Sequence, residues 1–264
     1  MRAPLFSLEG RVAIVTGGGT GIGKAIAFEF ARAGADVVIA SRKLGNLEPV
    51  ASDIQGLGRR SFAVAMDVRN EDQVRDLVER TAEELGRLDI MVNNAGASFM
   101  APLEDISLNG WNAVVGINLN GVYLGCKWAG KQMMRQGGGV IVNVASIAGI
   151  YGSVMMPHYG AAKAAVINLT RTLGSAWARH NIRVNCIAPG PVETQGYMDN
   201  LYKTNPNAEE VYKAVASRVA MGRWGKVDEI AYPCIFLASE ASSFMTGATI
   251  VVDGGAALRE SDGA

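Results

Sequence analysis

The chain has little of the material from which metal centres, disulfide scaffolds and membrane spans are built. It carries 3 cysteines, Cys126, Cys186 and Cys234. They are far apart, odd in number and without histidine at ligand spacing, which excludes a disulfide framework and a zinc site built on thiolates. The 2 histidines, His158 and His180, are too few for a histidine-based centre, so no metal is expected. Neither sign of charge is in excess: Lys+Arg 25 balances Asp+Glu 25. Nucleic acid and acidic membranes are therefore not expected partners. Apolar runs are broken by glycine or polar residues before they reach spanning length. The start, Met1-Arg2-Ala3-Pro4-Leu5-Phe6, lacks the apolar core of a signal peptide, and Ser261-Asp262-Gly263-Ala264 is not a peroxisomal address. A reducing, cytoplasmic setting is the expectation.

What is present is apolar mass and glycine. Hydrophobic residues make up 49% and charged residues 19% of the 264, enough for one large core. Short β-branched runs at 12–15, 37–40, 61–65, 88–92, 140–144, 182–187 and 248–252 read as strands. Helical patterns fill the spaces at 22–33, 44–55, 71–85, 108–135, 158–179 and 228–237. Apolar strands alternating with helices predict an α/β fold: a doubly wound, Rossmann-type parallel sheet covered on both faces. No linker or composition break divides it, so 1–264 reads as a single domain.

The first strand runs into Thr16-Gly17-Gly18-Gly19-Thr20-Gly21-Ile22-Gly23, which opens the first helix. Glycines there permit a tight turn and close backbone approach, and a helix N-terminus receives a pyrophosphate. Gly17, Thr20, Gly21, Ile22 and Gly23 are the candidate contacts. The second strand ends at Ser41-Arg42-Lys43, where a site for NAD(H) would offer an acid to the ribose. Two cations suit a 2′-phosphate instead, so NADP(H) is favoured, with NAD(H) the alternative. Asp67-Val68 follows the third strand; Asp67 reads as an acceptor for an adenine amino group, or as a helix N-cap. Asn94, Ala95 and Gly96 follow the fourth strand, where small residues let backbone pass beside a cofactor.

Tyr159 and Lys163 stand four apart and share one face of a helix. An ammonium there favours the phenolate, giving a phenol that trades a proton with an alcohol near neutral pH. Ser146 lies upstream, at the end of an apolar strand, with Asn118 further back.

With these parts in order, through Pro189-Gly190 to Gly247 and Asp253-Gly254-Gly255, the chain resembles the classical short-chain dehydrogenase/reductase family from residue 8 to 255. The resemblance implies that Tyr159 is the acid/base and that Ser146 holds the carbonyl or alcohol oxygen. It implies that Lys163 bonds the nicotinamide ribose and depresses the Tyr159 pKa, and that Asn118 kinks its helix and positions a water in a proton relay. Pro189, Gly190, Val192 and Thr194 would contact the nicotinamide end. Thr20 departs from the pattern, standing where many phosphate-selective relatives have a basic residue. Residues 38–44 are similar to enoyl- and dienoyl-thioester reductases of the same superfamily, which typically lack the Ser/Tyr/Lys arrangement in this form. The resemblance also implies a homotetramer built on the helices at 108–135 and 158–179, and apolar and small residues such as Trp111, Trp128, Ala164, Leu173 and Trp177 give these helices more apolar face than one core needs.

The expected activity is interconversion of a ketone and a secondary alcohol. A thioester reductase is the alternative, and a dinucleotide-sensing protein without turnover a third reading. The region 189–225 has no clear pattern; its part from 194 to 222 reads as a short helical lid. Met155, Met198 and Tyr202 are the candidate substrate contacts, with Ser146 and Tyr159.

Overall fold

A computed structural model describes residues 5–256. The two ends read above for targeting lie wholly or partly outside them. Strands β1 (Val12–Thr16), β2 (Asp36–Ser41), β3 (Ser61–Ala65), β4 (Ile90–Asn93), β5 (Gly139–Val144), β6 (Ile182–Pro189) and β9 (Thr249–Val252) form one sheet. Between β6 and β9 lie the short β7 (Val192–Glu193) and β8 (Gly225–Lys226), which pair with each other. The large sheet has the order β3-β2-β1-β4-β5-β6-β9, and every pairing is parallel.

The helices are α1 (Gly21–Arg32), α2 (Leu44–Gly56), α3 (Glu71–Leu85), α4 (Leu108–Val115), α5 (Gly121–Gln136), α6 (Ala148–Tyr151), α7 (Pro157–Trp177), α8 (Gln195–Thr204), α9 (Ala208–Arg218) and α10 (Val227–Ala238). Strand side chains alternate between two cores. Ala13, Val15, Val37, Ile39 and Val92 face α1, α2 and α10, while Val12, Ile14, Val38, Met91 and Ile141 face α3, α5 and α7. Apolar residues at successive strand positions are explained by this double burial. The expected doubly wound parallel sheet is the observed one.

Where the chain leaves β1 for β2 and β3 and returns to β4, a crevice opens at the carboxyl ends of β1 and β4. Such a reversal point is where open α/β sheets bind ligands. Thr16 ties it together: its hydroxyl donates to Val92 O (3.2 Å) and accepts from the backbone N–H groups of Asn94 (3.0 Å) and Ala95 (3.1 Å).

Three expectations are revised. The helix at 108–135 is two helices joined by a π-helical turn, Gly116–Asn120. Asn118 lies in that turn, its Nδ2 donating to Ala97 O (2.6 Å) and Val114 O (2.9 Å). A side chain that captures the carbonyl four residues back competes with the helical ladder. The segment at 194–222 holds two helices, α8 and α9, in place of one short one. Part of the apolar surplus on α5 and α7 is consumed inside the chain. A Cβ at Gly130 would stand 2.6 Å from the Trp177 ring, and Trp128, Leu173 and Trp177 pack against the core on that face.

Candidate active site

The crevice widens into a cleft of about 280 Å³. Nine of the expected residues line it: Gly17, Thr20, Ser41, Arg42, Lys43, Asp67, Val68, Ala95 and Gly96. The glycines are there for close approach. A Cβ at Gly23 would lie 2.3 Å from Gly17 O, and one at Gly18 2.6 Å from Ile39 Cγ2. Gly17 (φ 69°) and Gly21 (φ 53°) turn through the left-handed region. Helix α1 starts at Gly21 with no side-chain cap at Thr20 and no acid in its first turn, leaving its N–H groups to an anion. Arg42 and Lys43 stand on the rim after β2, which ends in Ser41 and not in an acid, and the Asp67 carboxylate that shares the cleft is paired with Arg69. The cleft therefore fits a dinucleotide, and its cationic rim fits the 2′-phosphorylated form.

Other expected contacts act at one remove. The Asn94 side chain donates to Thr16 O (2.8 Å) and covers Gly17 and Gly23, so it braces the turn. Thr194 sits over Gly21, 3.4 Å from a Cβ built there. A Cβ at Gly190 would meet Asp253 Cβ at 2.6 Å, so Gly190 lets β6 close on the chain after β9. The Asp67 carboxylate is gripped by the Arg69 guanidinium (Nε–Oδ1 3.0 Å), which holds it below the usual carboxylate range. The N-cap of α3 is Asn70, not Asp67.

Sequence reasoning missed Asn46, Met66, Ala97 and Ile117 in the cleft lining. Asn46 had a signal, its place in the first turn after the basic pair; the others are ordinary small or apolar residues. It also missed a buried chain beneath the site, in which Asn93 Nδ2 donates to Asn143 Oδ1 (2.9 Å) and Asn143 Nδ2 to Thr170 Oγ1 (2.9 Å).

The catalytic candidates meet where β5 ends and α7 begins. Ser146 follows β5, and its Oγ accepts from Ala148 N (3.2 Å). Tyr159 and Lys163 lie one turn apart near the start of α7, with Lys163 Nζ 5.5 Å from the Tyr159 ring centre. Lys163 is buried and donates to Val144 O (2.7 Å). Gly96 joins this group to the cleft: a Cβ there would stand 2.8 Å from Asn118 Oδ1 and 3.7 Å from Lys163 Nζ. Asn118 is buried, and its Oδ1 has no partner among the described residues.

One electrostatic expectation is corrected. Burial dominates both members of the pair, because lost hydration disfavours both charged forms. It pushes the Tyr159 phenol up, with the Ser146 hydroxyl beside it working in the other direction. It brings the Lys163 amine down to about 8. The chain by itself thus holds a protonated phenol beside an easily neutralised amine.

Helices α8 and α9 close on an aromatic stack. Tyr212 stacks on Trp224 (centroids 5.5 Å, 14°), Tyr197 tilts against it (5.5 Å), and Trp224 Nε1 donates to Tyr212 O (3.0 Å). The Tyr212 hydroxyl bonds Glu193 on β7. Met198 is half-buried, and the exposed Tyr202 gives its hydroxyl to Glu209 (3.2 Å). Among the described residues no helix is long and apolar enough to cross a membrane.

A family model described as enoyl-(acyl carrier protein) reductase matches residues 17–257. The chain is 38% identical to a 3-oxoacyl-(acyl-carrier-protein) reductase of Thermotoga maritima, over 94% of this chain and 98% of that one. It is 38% identical to a 2-dehydro-3-deoxy-D-gluconate 5-dehydrogenase of Escherichia coli, over 95% and 96%. A crystal structure from Beutenbergia cavernae, of a proposed NAD(P)-dependent gluconate 5-dehydrogenase with NADP bound at low occupancy, superposes with a TM-score of 0.89 at 36% identity. That likeness covers 97% of this chain and 100% of the other.

Proposed function

The chain belongs to the short-chain dehydrogenase/reductase family, and from that premise we propose that it is an NADP(H)-dependent oxidoreductase interconverting a ketone and a secondary alcohol. The observation that carries this reading is the grouping of Ser146, Tyr159 and Lys163 beside a cleft shaped for a dinucleotide. The nicotinamide, when bound, supplies or accepts the hydride. Everything else falls to the chain. The Ser146 and Tyr159 hydroxyls face the oxygen on which charge builds. In reduction Tyr159 gives its proton to that oxygen, and in oxidation it takes one back. Burial keeps the phenol protonated, which suits the reductive direction. Lys163, pinned by Val144 O, stands ready to bond the nicotinamide ribose and to pass a proton toward Asn118, whose free Oδ1 fits a bridging water.

Arg42 and Lys43 hold the 2′-phosphate in this reading. Residues 194–222 form the substrate lid, with Thr194 at its root over Gly21 and Met198 and Tyr202 on it; Met155 contributes from the opposite wall. The assembly is a homotetramer, and the three free, buried cysteines fit a reducing cytoplasm. Light scattering at micromolar concentration tests the tetramer; a monomer refutes it.

Tyr159→Phe keeps the ring and its packing and removes the proton. Turnover should fall at least ~100-fold, the usual scale for loss of a general acid/base, with NADPH binding retained. Near-normal turnover refutes the mechanism. The family model's description favours a second reading, enoyl-thioester reduction. A screen at 340 nm with ketones, alcohols and enoyl thioesters separates the two, and silence with all three would point to a dinucleotide sensor.

A further inference from the structure

The side of the site facing away from the cofactor has a definite chemistry. It is built from the stretch after β4 and the stretch between Ser146 and Tyr159. Ala101 N donates to Met155 O (2.9 Å), which lays these stretches side by side. The Phe99 ring stands edge-on to His158, the neighbour of Tyr159, at 4.5 Å. Phe99 (43%), Met100 (65%), Met155 (40%) and Val154 (87%) are all exposed. Clustered apolar exposure of this kind marks a binding surface.

The charges around it are equally definite. Residues 97–106, 145–162 and 189–202 contain no Lys or Arg. The charged residues of the first two stretches are acids, Glu104 and Asp105. His158 is fully buried behind Phe99, and burial holds its imidazole toward the neutral form. On the lid side stand two acids, Glu193, bonded to Tyr212, and Asp199, bonded to Gln195. Lys163, the buried cation of the site, donates to Val144 O and serves the nicotinamide ribose in the reading above, on the cofactor side and not on this surface. A carboxylate leaving water for this apolar surface finds no Lys or Arg on the stretches that build it.

Resting on the oxidoreductase reading above, we infer that the substrate is a neutral ketone whose larger group is apolar, lodged against Phe99, Met100 and Met155. The sugar acids named for the Escherichia coli relative are excluded by the same surface. This chain shares that relative's reaction type and differs from it in specificity, because specificity rests on walls that the catalytic residues do not build.

The test uses the Tyr159→Phe protein loaded with NADP⁺, which has no hydride to give, so the protein holds a ketone without reducing it. Calorimetric titration with the series butan-2-one to octan-2-one should show Kd falling about fourfold per added methylene, the transfer free energy of a buried CH₂. 5-Keto-D-gluconate should bind more weakly than octan-2-one. Met155→Lys, at an exposed position that tolerates the change, should weaken octan-2-one and strengthen 5-keto-D-gluconate. Tighter binding of the sugar acid by the Tyr159→Phe protein, or affinity independent of chain length, overturns the inference. Turnover by the unaltered enzyme is read separately. Octan-2-one that binds with the expected chain-length dependence, together with silence of the unaltered enzyme toward ketones, alcohols and enoyl thioesters, would sustain the apolar pocket and remove the oxidoreductase reading.

Discussion

Replacing Lys163 by methionine should abolish turnover and yet leave the ligand-free fold at least as stable at neutral pH. Burial takes the Lys163 amine from its ordinary 10.5 to about 8, with its bond to Val144 O in place. At 1.36 kcal/mol per pH unit, the fold disfavours the charged amine by ~3 kcal/mol. Methionine fills a similar volume without the charge. Its cost is a Val144 carbonyl deprived of that donor, about 1–3 kcal/mol. The variant should therefore gain about 0–2 kcal/mol at pH 7, a rise of at most a few degrees in Tm. The pH dependence is the sharper readout. Between about 8 and 10.5 the folded protein binds fewer protons at Lys163 than the unfolded chain, so wild-type stability rises with pH through that window. Below 8 the penalty is complete, and above 10.5 it is gone. Methionine does not titrate, so the difference between variant and wild type should shrink by ~1 kcal/mol per pH unit across the window. Urea denaturation of both proteins from pH 7 to 10 measures it. A difference that stays constant with pH would refute the claim that Lys163 is held charged at a cost.

Arg42→Ala should weaken NADPH about 10- to 100-fold, the scale of a charge-assisted bond, and NADH hardly at all; equal losses in fluorescence titrations would show that the rim does not read the 2′-phosphate. Gly149→Ala would put a Cβ 2.6 Å from Lys163 C and 2.7 Å from Ala164 N, both backbone. Helix α6 would then lift from α7, costing about 1–3 kcal/mol in thermal denaturation and displacing Ser146. Tyr212→Phe removes the bond to Glu193 and keeps the stack on Trp224. It should raise KM for the ketone and leave NADPH affinity unchanged; a change in cofactor affinity alone would argue against a lid at 194–222.

The sequence by itself determined the sheet, its parallel sense and the residues that meet at its edge. Strands buried on both faces carry near-continuous apolar runs, and the short length and β-branched content of these runs separate them from buried helix. The glycine turn was legible because close backbone approach admits no side chain, and Tyr159 with Lys163 because helical spacing fixes what shares a face. Tertiary structure decided what spacing does not contain. The break at Asn118 depends on Ala97 O, a carbonyl from another segment, so the helical pattern runs straight through it and the family resemblance alone pointed to a kink there. The second helix of the 194–222 segment, α9, is held by Trp224 and Glu193, which lie outside it. The protonation of Tyr159 and Lys163 was misjudged from spacing, since spacing gives the distance between two charges and burial sets the cost of having either. Burial belongs to the packed molecule: the amine that helical spacing places beside Tyr159 is, once β5 and α7 close on it, the least hydrated cation of the site.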